Sequence, residues 1–177
     1  ARELSLKTRS RLKNTLLYTL KEAFSARNIG FIVNPIAGMG GAVGLKGTDG
    51  RAILKRATIL GAKPIAPARA ESFLSELKPT KKNIRLVVGA GRMGENEAKS
   101  CGFTYTVLGK RKKETTAEDT RDIAKRIADT GTGLLIFCGG DGTARDILEA
   151  IEIKIPVLGV PTGVKMHSAV FAVDPRA

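Results

Sequence analysis

The chain has 177 residues, 42% of them hydrophobic, with 20 glycines and a formal net charge of +13. This length suits one domain with a substantial core, and the composition excludes a disordered chain. No apolar stretch is long enough to span a membrane, and the N-terminal segment lacks the apolar core of a secretion signal, so we expect a soluble protein. The two cysteines, Cys101 and Cys138, are too few for a disulfide framework, which favours a reducing, cytoplasmic location.

The positive charge predicts attraction for phosphorylated small molecules, nucleic acid or an acidic membrane. Residues 1–28 carry seven basic and two acidic side chains, and a second basic run lies at Lys110–Lys113. Aromatic residues make up only 5% of the chain and Trp is absent. Because few rings can then stack on bases, the composition argues against a single-stranded nucleic-acid partner.

The N-terminal segment 5–26 has apolar side chains at helical spacing, at Leu12, Leu16, Leu17, Leu20 and Phe24. We therefore predict that residues 1–28 form a basic, helical extension. Packing against the domain is the preferred interpretation, and contact with a partner or a free terminus are the alternatives. The domain itself is predicted to span residues 29–177.

From residue 29 onward, short apolar runs alternate with helical patterns, and no internal repeat is present. The predicted strands are Ile29–Val33, Lys63–Ala66, Ile84–Val88, Phe103–Leu108, Leu134–Cys138 and Pro156–Val160. The predicted helices are Thr48–Leu60, Arg69–Leu77, Gly94–Ser100, Ala117–Asp129 and Thr143–Ile151. Unbroken apolar strands separated by helices are typical of a parallel sheet that is covered on both faces. The pattern predicts a three-layer α/β domain of the Rossmann-like type, with a mostly parallel sheet.

Four predicted strands run directly into glycine-rich or polar loops. These loops are Asn34–Gly50, Gly89–Gly94, Gly139–Thr143 and Pro161–Ser168. In an open parallel sheet, ligands bind at the carboxyl ends of the strands, where the strand order reverses. The sequence therefore predicts one ligand crevice that is lined by all four loops.

The first loop contains six glycines but lacks the Gly-Lys-Ser/Thr arrangement of a Walker A loop. We interpret it as a nest of backbone N–H groups for phosphates, with Asn34 and Lys46 beside it. A flexible connection is the alternative. A loop of this length in a compact domain is more often functional.

The second loop has the spacing Gly89-x-Gly91-x-x-Gly94 between a strand and a helix, which is the dinucleotide fingerprint. The acidic residue expected about twenty positions further on is missing. Gly109–Arg111 stands there instead, which would favour a 2′-phosphate. Because the fingerprint usually opens the fold and here lies mid-chain, we prefer a phosphate-facing glycine turn over a complete NADP site.

The third loop places Asp141 among three glycines, where a chain usually builds a phosphate cradle. A carboxylate repels a bare phosphate, so either a metal ion stands between them or Asp141 takes a proton from an attacking hydroxyl. A simple turn with a helix cap is the alternative. Gly139 and Gly140 would let a ligand approach the backbone, and Thr143 is predicted to cap the next helix and face a phosphate.

Two motifs together carry a family resemblance. The Gly139–Thr143 motif and the Asn-Pro-x-x-Gly core of Asn34–Gly38 resemble the superfamily of NAD kinases, diacylglycerol and sphingosine kinases and 6-phosphofructokinases. The longer stretches Asn34–Gly50 and Val157–Ala172 are similar to its ATP-NAD kinase/AcoX-type branch. The likeness covers residues 29–177. It implies phosphoryl transfer from ATP or polyphosphate to a hydroxyl group, with Mg²⁺ present.

The resemblance also implies roles for particular residues. Asp141 corresponds to the residue that contacts the acceptor hydroxyl as base or orienter, and NAD is the expected acceptor. The predicted nucleotide and phosphate site consists of Gly139, Gly140, Gly142, Thr143, Asn34, Gly38, Gly40, Gly41, Lys165 and Ser168, and the glycine spacing of the second loop adds Gly89 and Gly91. No protein ligand to a metal is predicted. The implied partners are small-molecule nucleotides, and the full-length protein is expected to be a homo-oligomer.

The sequence departs from the family pattern in two ways that affect function. The β-rich C-terminal domain of the family is absent from residues 29–177, so we expect this fragment to be inactive by itself. Gly163–Ser168 stands where typical NAD kinases have a Leu-Gly-Phe segment, which leaves the acceptor open. The alternatives are a diacylglycerol-type lipid kinase, a non-catalytic NADP- or nucleotide-binding module, and a nucleic-acid-binding protein.

Overall fold

The computed structural model describes residues 27–44, 51–163 and 166–176. The predicted N-terminal helix (5–26), Lys46 and Lys165 lie outside these ranges. The strands are β1 (Arg27–Val33), β2 (Ile84–Gly89), β3 (Thr104–Leu108), β4 (Leu135–Gly139) and β5 (Val157–Pro161). They form one sheet in the order β3-β2-β1-β4-β5, and every neighbouring pair is parallel.

Helices connect the strands. They are α1 (Met39–Ala42), α2 (Arg51–Ile59), α3 (Ala66–Glu76), α4 (Glu95–Ser100), α5 (Ala117–Asp129) and α6 (Asp141–Ile151). Two 3-10 turns, Lys78–Asn83 and Gly91–Met93, flank β2. Among the described residues, no helix has the length and apolar character that a membrane crossing requires.

The alternation of side chains along β1 builds a separate core on each face of the sheet. Phe31 and Val33 pack with Leu74 of α3 on one face. Ile32 packs on the other face with Ile127 of α5 and Ile147 of α6. Each of these side chains is almost fully buried, and burial of one such side chain contributes about 2 kcal/mol. The predicted three-layer α/β architecture is confirmed.

One predicted strand is wrong. Lys63–Ala66 is not a strand, and the chain there leads into α3, which begins at Ala66. Pro67 lies in the first turn of α3, where its missing N–H costs nothing and its fixed φ favours a helix start. Pro64 cannot donate to a sheet ladder. For the same reason the helix predicted from Arg69 begins three residues earlier.

The start of α6 also differs from the prediction. The helix begins at Asp141, two residues before the predicted start at Thr143, and Gly140 occupies the N-cap position without a side-chain cap. Thr143 therefore does not cap the helix. The shift places the Asp141 carboxylate in the first helical turn, where the helix dipole favours a negative charge.

The strand order places a switch point between β1 and β4. From β1 the chain moves to β2 and β3 on one side and later returns to β4 and β5 on the other. Val33 pairs with Cys138 at this point, and the Asn34 N–H donates to the Cys138 carbonyl at 3.0 Å. The loops after β1, β2, β4 and β5 all leave from one edge of the sheet, the edge at which open α/β sheets bind ligands.

Candidate functional site

The turn between β4 and α6 leaves its backbone open on one side. Gly139 must be glycine, because a Cβ there would lie 2.5 Å from the Cβ of Thr143. A Cβ at Gly140, in contrast, would meet no atom within 4 Å among its surroundings. Gly142 and Thr143 follow in the first turn of α6, whose N–H groups have no partners within the helix. A ligand with negative charge can therefore approach the helix start beside Gly140.

The Asp141 carboxylate accepts hydrogen bonds from the segment that follows β5. The His167 N–H lies 3.0 and 3.1 Å from its two oxygens, the Ser168 N–H lies 2.9 Å from Oδ1, and the Ser168 hydroxyl lies 2.6 Å from Oδ1. Burial raises the pKa of Asp141, but the bonds from Ser168 and His167 outweigh it, and the pKa lies below its ordinary value. Asp141 is therefore a negatively charged acceptor at neutral pH.

Asn34 joins the loop after β1 to the start of α6. Its side-chain amide donates to the Thr143 hydroxyl at 2.9 Å, and its Oδ1 accepts the Ile36 N–H at 3.3 Å. Thr143 is only 3% exposed. Its own hydroxyl proton is not used in the contact with Asn34, so it can still donate one hydrogen bond. The pair fixes the two sides of the switch point to each other.

Gly38 and Thr162 hold the loop after β1 against the segment after β5. Gly38 has φ +86°, and a Cβ there would lie 2.3 Å from the Thr162 carbonyl oxygen. The Thr162 N–H donates to the Gly139 carbonyl at 3.2 Å. The Thr162 hydroxyl is buried and has no hydrogen-bond partner within the described part of the chain. A buried hydroxyl without a partner is costly, and a polar ligand would satisfy it.

The glycine turn after β2 has an internal partner. The Gly91 N–H donates to the Glu95 carboxylate at 2.6 Å, and Arg111 Nε donates to the same oxygen at 2.9 Å. A second guanidinium nitrogen of Arg111 pairs with the other Glu95 oxygen. The bond from Arg111, and then the bond from Gly91, lower the pKa of Glu95 to about 2. Glu95 thus accepts the Gly91 N–H, which a bound phosphate would need as a donor.

Close packing explains why the other two positions of this turn are glycine. A Cβ at Gly89 would lie 2.7 Å from the Cβ of Met93, and a Cβ at Gly94 would lie 2.9 Å from the Phe31 carbonyl oxygen. Phosphate binding at Gly89 and Gly91 stays a prediction, and it would require Glu95 to move. Arg111, which the sequence suggested for a 2′-phosphate, is paired with this carboxylate.

A groove of about 450 Å³ opens beside Asp141 and Ser168. Its apolar walls are formed by Ala144, Ile147, Leu148, Val157 and Val170. Its polar lining also includes Arg145, Glu152 and His167. Predominantly apolar walls with a small number of polar groups are typical of small-molecule sites.

The structure thus brings most of the predicted site residues together. Those at the switch point are Asn34, Gly38, Gly139, Gly140, Asp141, Gly142, Thr143 and Ser168. Gly40 and Gly41 lie in α1, next along the chain from Gly38. Gly89 and Gly91 lie at the same sheet edge with their own partners, and Lys165 is not described. No group of three or more His, Cys, Asp or Glu side chains in the described ranges could hold a metal ion.

The sequence reasoning missed Thr162 and Glu95. Thr162 follows β5 in a loop that was predicted, but only the folded chain shows its carbonyl against Gly38. The signal for Glu95 was an acid four residues after Gly91, with an arginine just beyond the next strand. That spacing indicates a hydrogen bond within the turn.

Comparison with protein families gives a match to the model described as the ATP-NAD kinase N-terminal domain, over residues 29–177. The match includes both the loop after β1 and the turn before α6. Comparison with curated proteins and with solved structures gives no match.

Proposed function

The chain belongs to the ATP-NAD kinase N-terminal domain family, and from this premise we propose that it carries the phosphoryl-transfer site of an NAD kinase-like small-molecule kinase. The observation that carries the proposal is the Asp141 carboxylate, which lies at the start of α6 with a hydroxyl 2.6 Å away. A charged carboxylate beside a phosphate site has a use when the attacking group is a hydroxyl that must lose a proton.

The donor would place its terminal phosphates at the open side of Gly140. The unpaired N–H groups of the first turn of α6 and the Thr162 hydroxyl support this placement. ATP is the proposed donor, with polyphosphate as the alternative. Mg²⁺ would bind mainly through the donor phosphates, as is usual for this ion. When bound it supplies neutralisation of the phosphate charge.

The acceptor would lie in the groove on the other side of Asp141. Its volume falls within the range of about 300–1,000 Å³ that is typical of small-molecule sites. The apolar walls suit a flat ring, and Asp141 at the end of the groove suits a hydroxyl carried by that molecule. NAD, with its ring systems and ribose hydroxyls, is the proposed acceptor, and the product would be NADP. Asp141 would orient the attacking hydroxyl and accept its proton.

Donor binding can be tested with two glycine variants that are matched in space. A Cβ meets no atom within 4 Å at Gly140 or at Gly133, but only Gly140 lies at the proposed phosphate site. We expect Gly140→Val to weaken ATP·Mg²⁺ binding by at least about tenfold, a loss of about 1.4 kcal/mol, in a calorimetric titration. Gly133→Val should bind as the wild type does.

The same titration with NADP tests the competing nucleotide-binding module. Tight NADP binding that Gly91→Val abolishes and Asp141→Asn leaves intact would contradict the kinase proposal. A lipid acceptor is tested by adding emulsified diacylglycerol in place of NAD. Phosphorylation of the lipid alone would replace NAD as the acceptor and leave the roles of Gly140 and Asp141 unchanged.

A further inference from the structure

Ser168 is held as a nucleophile would be. Its hydroxyl donates to Asp141 Oδ1 at 2.6 Å, and its own N–H donates to the same oxygen at 2.9 Å. The side chain is half-buried and lines the groove beside α6. A hydroxyl within hydrogen-bond reach of a base that is itself oriented by other groups is the arrangement of an activated nucleophile. The His167 N–H provides that orientation here.

The backbone next to Asp141, which holds this hydroxyl, is open at Gly140, where the proposed donor would lie. Gly140 precedes Asp141 directly, and a Cβ added at Gly140 would have no neighbouring atom within 4 Å. The donor's terminal phosphate would therefore lie next to the residue that holds the Ser168 hydroxyl. Ser168 stands in the place that the hydroxyl of an external acceptor would take.

We propose that Ser168 is itself a phosphoryl acceptor, so that the chain phosphorylates this residue when donor is bound and the groove is empty. The inference rests on the proposed function. It concerns a single transfer to the chain itself and not the turnover of an external acceptor, which we expect this fragment to lack. The Ser168 oxygen forms a bond to the terminal phosphorus of ATP, and the bond from that phosphorus to the bridging oxygen breaks. The hydroxyl proton passes to Asp141, and the products are ADP and phosphoserine.

Among the described serines, this geometry is specific to one position. Ser72 and Ser75 lie on α3, and Ser100 ends α4, away from the start of α6. Phosphoserine at position 168 would add a charge of about −1.5 to −2 beside the Asp141 carboxylate. The Ser168 oxygen then carries the phosphoryl group and has no proton left to lose, so a second transfer to this residue is excluded. The reaction should therefore release about one ADP per chain and then stop.

The experiment is incubation of the chain with ATP·Mg²⁺ without NAD, followed by intact mass measurement, phosphopeptide mapping and ADP release. We expect one phosphoryl group per chain, located at Ser168. Ser168→Ala should abolish it, Ser168→Thr should retain it on the new hydroxyl, and the exposed Ser100→Ala should behave as the wild type. Asp141→Asn should slow it by about 100-fold or more, because the base is lost.

Calorimetry with ATP·Mg²⁺ separates the possible failures. If ATP binds and Gly140→Val weakens that binding, but no phosphoryl group is incorporated, the inference about Ser168 is overturned and the proposed function stands. Incorporation that persists undiminished in Ser168→Ala would also overturn it. If ATP·Mg²⁺ does not bind at all, the proposed function fails and the inference fails with it.

Discussion

Two glutamates on α4 show how strongly the partner of a carboxylate decides its charge. Glu95 has Arg111 and the Gly91 N–H as partners, and its pKa lies at about 2. Glu97 is only 5% exposed, and one of its carboxylate oxygens has no hydrogen-bond partner within the described residues. Burial first, and then the nearby Glu71 carboxylate, raise the pKa of Glu97 to about 7, although its own backbone N–H and Arg92 oppose the shift.

The raised pKa of Glu97 predicts a pH dependence of stability. The folded chain holds the Glu97 proton more tightly than the unfolded chain does. The contribution of this proton to the free energy of unfolding is therefore fully present below about pH 4.5, and it is lost as the pH rises towards 7. The free energy of unfolding should fall by up to about 1.4 kcal/mol per pH unit in that window. Glu97→Gln should remove this fall, which urea denaturation at several pH values would measure.

Glu76→Gln is the matched control, since Glu76 is exposed at the end of α3. It should show the same pH dependence as the wild type. If Glu97→Gln also follows the wild-type curve throughout this pH range, the carboxyl does not titrate as a buried, unpaired group.

At the scale of single elements, the loops after β1 and β2 begin at the same sheet edge and differ in the partners that hold them in place. The loop after β1 is tied to neighbouring elements, through Asn34 to Thr143 and through Gly38 against Thr162. The turn after β2 is tied to the helix that follows it and to Arg111 beyond β3. Of the two loops, only the one after β1 lies beside open space, which is found next to Gly140.

The hydrogen bonds of Glu95 to Gly91 and Arg111 predict an order of stability among the wild type and two variants. Glu95→Ala leaves the buried Gly91 N–H without an acceptor, which should lower the free energy of unfolding by about 1–3 kcal/mol. Arg111→Ala should cost less, because the Arg111 side chain is 70% exposed and water can replace its contact. Urea denaturation of the wild type and both variants would give the order. A larger loss in Arg111→Ala than in Glu95→Ala would contradict this account.

The bond between Asn34 and Thr143 predicts an effect that reaches the site. Thr143→Val keeps the shape of the side chain and removes the hydroxyl, so the Asn34 amide loses its acceptor. We expect a loss of about 1 kcal/mol in stability together with weaker ATP·Mg²⁺ binding. Thr130→Val is a control, because the Thr130 hydroxyl also makes one hydrogen bond, to the Ile127 carbonyl, but at the far end of α5. Thr130→Val should lower the stability without weakening ATP·Mg²⁺ binding. If both variants lost the same amount of binding, a specific role for Thr143 would be excluded.

At the scale of the whole molecule, the segment 166–172 completes the sheet and the site together. The Gly159 N–H donates to the Val170 carbonyl at 2.8 Å, and the Ala172 N–H donates to the Gly159 carbonyl at 2.9 Å. The Phe171 ring packs against Phe137 with their centroids 5.4 Å apart. These contacts cover the outer edge of β5 and hold Ser168 at Asp141.

Removal of the Phe171 ring should therefore change the pKa of the Asp141 carboxyl. Phe171→Ala is expected to cost about 2 kcal/mol in stability, less than a fully buried Phe because the ring is half-buried. With the segment loosened, the hydrogen bonds that lower the pKa of Asp141 weaken, and its pKa should rise. NMR titration of the Asp141 carboxyl would measure this. An unchanged pKa in a destabilised variant would show that Phe171 does not position the segment.

The fold could be predicted from the sequence because buried parallel strands are written as unbroken apolar runs. Asp141 and Asn34 could be found because they lie in motifs with a chemical meaning. The start of α6 could not, since Gly140 as N-cap has no side-chain signal. The strand predicted at Lys63–Ala66 overlooked Pro64, which cannot donate to a sheet ladder, and Pro67, which favours a helix start. Thr162 was missed because its contact with Gly38 exists only after folding. Glu95 was missed although its spacing from Gly91 and Arg111 is present in the sequence.

The Glu95 contact has a consequence for how such fingerprints are interpreted in other chains. A glycine pattern specifies the direction of a backbone N–H, and it does not specify what accepts from it. Here an acid four residues after Gly91, held by an arginine beyond the next strand, supplies the anion from within. A survey that scored glycines alone would not detect that this N–H already has an acceptor within its own chain. One that also scored that acid and arginine would separate such turns from turns whose N–H groups have no internal acceptor.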